Sequence, residues 1–215
     1  MVLATFACSV AAADTDERYQ TSNVVDLTGA AGSAYVGAAW LIRSENEIEG
    51  RIMAKVSTAG EPYTVWVILF NDPGSCENMG CGEDDIIAGR GQASVFYGTS
   101  AISAPDGGLD RNAKPAGGGV VNLNFEIEGG DLPTGLFVLV PGEVIPYGGP
   151  PGLAEGNGFG VEVHLVVDRH PPVPAGMSWI SDLTTTNLPG MGPATNDSAA
   201  VFLACPDPTC PGTVL

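Results

Sequence analysis

The run Tyr63-Thr64-Val65-Trp66-Val67-Ile68-Leu69-Phe70 decides the fold. It is nearly all apolar, β-branched or aromatic, and turn residues follow at once (Asn71-Asp72-Pro73-Gly74). A run this short suits a strand and is marginal for a helix. Its apolar groups fall on successive positions rather than alternate ones. That pattern predicts a central strand covered on both faces.

The neighbouring segments alternate instead. In 47–56 (EIEGRIMAKV) charge falls mostly on odd positions and apolar groups on even ones. In 121–128 (VNLNFEIE), Val121, Leu123, Phe125 and Ile127 face one way, and two Asn and two Glu face the other. Positions 161–170 (VEVHLVVDRH) repeat the pattern, with Val166 as an apolar intruder on the polar side. A period of two marks strands with one face on a core and one face turned away from it. Weaker strand signals lie at 34–43, 94–97, 136–140 and 199–204. Gly/Pro/Asn/Asp clusters separate them, and no 3.6-residue period persists over three turns after position 14.

The predicted fold is therefore all-β: a single antiparallel β-sandwich or jelly roll with long loops and little helix. Its expected span is 34–205, preceded by an N-terminal extension at 14–33 and followed by a tail at 206–215. The long connections, 71–92 and 101–117, are where a rigid sandwich usually carries function.

Composition narrows the function. The 215 residues hold 25 Asp+Glu against 8 Lys+Arg, a net charge of −17. Such a chain lacks the basic footprint of a nucleic-acid binder and the polybasic patch that holds anionic lipid. Lys occurs twice against 13 Asp, a bias also found in proteins adapted to high salt. Positions 2–13 (VLATFACSVAAA) resemble the apolar region and small-residue cleavage site of a signal peptide, although no Lys or Arg precedes them. A lipidated Cys8 is an alternative. The stretch is too short to span a bilayer, and no later run is long enough either. The expected location is extracellular, cell-surface or periplasmic.

Removing a signal peptide at 1–13 leaves four cysteines, Cys76, Cys81, Cys205 and Cys210, in two pairs of equal spacing. Three connectivities are open, and four thiolates could also hold one zinc. The equal spacing and export favour two local disulfides, Cys76–Cys81 and Cys205–Cys210.

Two constellations could carry chemistry. On one strand face stand Glu162, His164, Val166, Asp168 and His170, with the only two histidines of the chain. His164 could share a metal with Glu162, and His170 with Asp168, but the histidines are about 20 Å apart along an extended strand and cannot share one ion. The plainer reading is a solvated sheet face. The second constellation is the acidic loop 71–85, where Asp72, Glu83, Asp84 and Asp85 are the expected calcium ligands. Calcium accepts irregular cages of six to eight oxygens. No EF-hand pattern, nucleophile elbow, P-loop or H-E-x-x-H occurs in the chain.

Three blocks carry a resemblance: the 63–71 run leading into Cys76 and Cys81-Gly82, then Glu162-Val163-His164-Leu165-Val166-Val167, then the Cys205/Cys210 tail. Together they resemble a family of secreted bacterial proteins without an assigned activity, which implies export and a shared β fold and supplies no catalytic residue. The strand order also faintly resembles the CHRD-type β domain, but that domain's paired-His signature does not follow 63–70 here.

These observations predict an exported, acidic, non-enzymatic binding or structural module, with calcium as its ligand. One alternative is a metal-dependent extracellular enzyme using His164 or His170. Another is a subunit of a surface polymer, self-associating by pairing the 14–33 segment with a neighbour's sheet edge.

Overall fold

The computed structural model describes residues 17–28, 34–78, 80–105, 119–130, 152–170 and 195–206. Among the described residues nine strands form: β1 (Arg18–Asp26), β2 (Tyr35–Arg43), β3 (Glu47–Val56), β4 (Pro62–Phe70), β5 (Ala93–Ile102), the short β6 (Ala104–Pro105), β7 (Gly119–Glu128), β8 (Glu162–Arg169) and β9 (Thr195–Phe202). All pair antiparallel in one sheet, in the order β5-β4-β8-β9-β1-β2-β3-β7-β6.

The all-β antiparallel fold read from the alternating segments is thus the fold that forms. In place of two separate sandwich layers there is a single sheet, which curls until β5 and β7 touch. Leu41, Ile48, Ile52, Val65, Val67, Leu123, Leu165 and Phe202 line the enclosed side, all essentially shielded from solvent. Phe125 packs in the same core, opposite Gly50 in the register of β3 and β7. A Cβ on Gly50 would lie 2.1 Å from the Phe125 ring, so glycine makes room for the aromatic ring there.

The 14–33 segment is not an extension outside the domain. Its residues 18–26 are β1, seated between β2 and β9, so the domain starts well before position 34. The inward positions of β1 are Gln20, Ser22 and Val24. Two of those three are polar, which hid the strand from an apolar-alternation test. The expected strand at 136–140 lies outside the described residues, as do the 1–13 segment, Cys8, Cys210 and the tail from 207.

Gln20 is buried because it serves Arg43, the largest fully buried side chain. Arg43 Nε donates to Gln20 Oε1 at 2.6 Å, and Nη1 donates to the carbonyls of Gly158 (3.0 Å) and Val161 (2.7 Å). Nη2 reaches the carbonyls of Phe202 (3.4 Å) and Leu203 (3.3 Å). One guanidinium therefore ties β1 and β2 to the approach to β8 and the end of β9. Burial lowers the Arg43 pKa to about 9, against the opposing pull of the Glu162 charge, so the group stays charged at neutral pH. The tie matters because β1 and β9 share only two register positions, Val25↔Ala199 and Asp26↔Ser198.

Candidate functional site

The outer surface of the sheet has two different halves. On β4 and β8 it is covered. The 71–92 connection folds back as a 3-10 turn (Pro73–Ser75) and a short helix, α1 (Glu83–Ile87), and lies over Trp66 and Phe70. Trp66, Phe70, Cys81, Ile86, Ala93 and Val95 make a second apolar cluster there. This is the cover that the continuous apolar run of β4 implies. Cys76–Cys81 is a disulfide with Cα atoms 5.4 Å apart, as its spacing predicts. Cys205 is also disulfide-bonded.

The expected calcium ligands are arranged otherwise. Glu83, Asp84 and Asp85 form the first turn of α1, where acidic side chains complement the exposed amides of a helix start. The Asp85 carboxylate is engaged internally. It accepts from the Glu77 amide (3.0 Å), the Gly82 amide (3.0 Å) and Arg90 Nε (2.6 Å). The Glu77 amide, then Arg90, hold its carboxyl below the usual range. Arg90 also pairs with Glu77 at 2.8 Å. A cation of the chain thus engages Asp85, and Asp72, Glu83, Asp84 and Asp85 do not gather their carboxylates within 4.8 Å of one another. The Gly-Glu-Asp-Asp lead-in to Ile86-Ile87 was a helix-start signal in the sequence.

Neither histidine stands on an open sheet face. His164 Nε2 lies 2.6 Å from Glu162 Oε1, which also accepts the Cys81 amide at 2.8 Å. The His164 ring packs on Phe70 with centroids 5.0 Å apart. Glu162 is buried, and the pair acts as a polar rivet between β8 and the cysteine loop. His170, just past β8, is buried with Nε2 2.9 Å from Thr64 Oγ1, and burial lowers its pKa. Asp168 accompanies neither histidine. Its Oδ1 is buried without a hydrogen-bond partner, and burial raises its pKa to about 7.

On β1, β2, β3 and β7 the outer surface is open. Register aligns its side chains in rows across four strands: Tyr19, Ile42, Glu49, Glu126; then Thr21, Trp40, Arg51, Asn124; then Asn23, Ala38, Met53, Asn122. A groove of about 910 Å³ is lined by the first row, by Trp40, Arg51 and Asn124 of the second and by Asn122 of the third. Tyr19 is 59% exposed, unusual for a large aromatic on a rigid strand. Arg51 Nε donates to Asn122 Oδ1 at 2.7 Å, which fixes two of the polar lining groups. At one end, Glu47, Glu49 and Glu126 bring carboxylate oxygens within 4.8 Å of one another, the only such acidic group among the described residues. Burial, then the charges of Glu126, Glu49 and Glu128, raise the Glu47 pKa.

Sequence reasoning missed this surface. β3 and β7 announced their polar faces and β1 did not, and the rows join positions as distant as Tyr19 and Glu126, which only the register brings together. Comparison with protein-family models, curated proteins and solved structures returns no match for this chain. Among the described residues no helix is long and apolar enough to cross a membrane.

Proposed function

We propose that this protein is an exported, acidic binding module that works without catalysis, and that its binding surface is the open face of β1, β2, β3 and β7. One observation carries the reading: a groove with exposed aromatic and hydrogen-bonding side chains, aligned in cross-strand rows on a rigid sheet. Concave surfaces with a few fixed polar groups are the usual form of a ligand site. The histidines, in contrast, are engaged separately, His164 with Glu162 beneath the cysteine loop and His170 with Thr64 of β4, which gives less support to the enzyme alternative. The polymer alternative needs a free 14–33 segment, and residues 18–26 are a sheet strand.

Export is supported by the 2–13 segment, by the resemblance to secreted proteins and by the disulfide. Calcium enters this reading as a counter-ion of the acidic surface, and the carboxylates close enough to share it are Glu47, Glu49 and Glu126.

Two measurements test the reading. In an exporting host, the mass of the secreted product should match a chain beginning at Asp14; retention inside the cell removes the export half. The purified protein should bind extracellular polymers in a Tyr19-dependent way, and binding indifferent to Tyr19→Ala removes this face. For the ion, calcium titrated against EDTA at fixed high ionic strength should raise Tm in the parent and not in Glu126→Gln, since a ligand of the native state stabilises it.

A further inference from the structure

We infer that the groove accepts a neutral polysaccharide, seated with its sugar rings against Tyr19 and Trp40. This rests on the reading of that face as a binding surface and names the ligand class.

The lining is amphipathic in a particular way. Tyr19 and Trp40 lie on the neighbouring strands β1 and β2, two residues apart in register, and offer apolar ring surface. Arg51 and Asn124, continuing the Trp40 row, offer planar groups with donors, and Asn124 an acceptor besides. A ligand that fills such a groove needs an apolar face and a polar edge. A pyranose ring has both: its C–H face stacks on an aromatic ring while its equatorial hydroxyls point outward in the ring plane.

Charge excludes the rival ligands. A polyanion meets a protein of net charge −17 and, where no cation is bound, the Glu49 and Glu126 carboxylates in the groove itself. A cationic peptide would be drawn to those carboxylates but must lie over Arg51, which lines the groove beside them. A neutral chain meets neither penalty. The groove crosses four strands, a width of about 14 Å at ordinary strand spacing, enough for a short run of sugar units. Because the rows sit on paired strands, the lining is already in place before ligand arrives, which keeps the ordering cost low.

The probe is native gel electrophoresis of the full exported protein through gels carrying xylan, galactomannan, mixed-linkage β-glucan or dextran. Retardation by at least one gel is expected. Tyr19→Ala and Trp40→Ala should each weaken it about tenfold, the scale of one lost aromatic contact. Tyr19→Phe should retain it, because the ring and not the hydroxyl makes the contact. Tyr19 is exposed, so Tyr19→Ala tests the site even if Trp40→Ala impairs folding. Free migration through all four gels, or retardation equal in parent and Tyr19→Ala, overturns the inference. A parallel titration with poly-L-lysine separates the two levels: Tyr19-dependent binding of poly-L-lysine without any gel retardation overturns the saccharide class and leaves the binding face standing. Tyr19-independent behaviour in both assays overturns both.

Discussion

The covered and open halves of the outer surface belong to one continuous sheet and end in opposite states. On β4 and β8 the outward polar groups are withdrawn from solvent, and Thr64 pairs with His170. Glu162 and His164 are tied down beneath Cys81, whereas Asp168 Oδ1 is left without a partner. On β1, β2, β3 and β7, the outward groups keep their access to solvent and line a groove. Covering a face converts its side chains into stability, favourable or otherwise. Leaving it open frees the side chains for a ligand. Mutations on the two halves should therefore move different observables.

The largest effect is expected beneath both halves. Phe125→Ala should cost roughly 3–5 kcal/mol in denaturant unfolding, because a packed aromatic ring leaves a cavity facing Gly50. A loss typical of surface positions would mean that the enclosed side is not the shared core.

Asp168→Asn should act with the opposite sign. A carboxyl whose pKa is raised on folding contributes stability that is fully present below the unfolded value and is lost as pH rises through the folded value. Here that window runs from 3.8 to about 7. The variant should thus be more stable than the parent by roughly 2–4 kcal/mol at pH 8, with the gain shrinking toward pH 5. A gain independent of pH would show that the buried charge is not its cause.

Replacing both Cys76 and Cys81 by Ser should cost about 2 kcal/mol on the chain-entropy account of a small loop. Loosening the cover should also shift Trp66 emission to the red. If the covered and open halves are independent, ligand binding at Tyr19 stays unchanged. The smallest effect on stability should come from the open half itself: Tyr19→Ala should stay within about 0.5 kcal/mol of the parent while weakening binding about tenfold. A large stability loss there would erase the distinction between the halves.

Much of this architecture was legible in the chain. The 47–56, 121–128 and 161–170 alternations gave strands and inward faces, and Val65, Val67, Leu123, Phe125, Val163 and Leu165 are buried as their positions predict. Ile68 departs from that expectation and is only half-buried, at the edge of the loop-covered cluster. The double-sided burial of β4 was also readable, but not what covers it, since alternation says which way a side chain points and not what it meets. For that reason Glu162 and His164 read as solvated residues and prove to be a rivet. The reading of the acidic loop did not foresee that Arg90, five residues beyond Asp85, folds back onto its carboxylate. β1 was missed because two of its inward positions, Gln20 and Ser22, are polar, and Gln20 serves a buried arginine, a pairing visible only in three dimensions.

The position of β1 has a consequence for biogenesis. The first and last described strands, β1 and β9, are neighbours in the sheet, and Arg43 holds its partners on both sides of that junction. A ribosome delivering the chain from its N-terminus supplies β1, β2 and β3 early, but nothing can close the curl until residues near 200 have emerged. Such long-range pairing makes folding slow and postpones closure of the curl until β9 has been made. Up to that point the chain holds β1 and β8 without the strand that joins them.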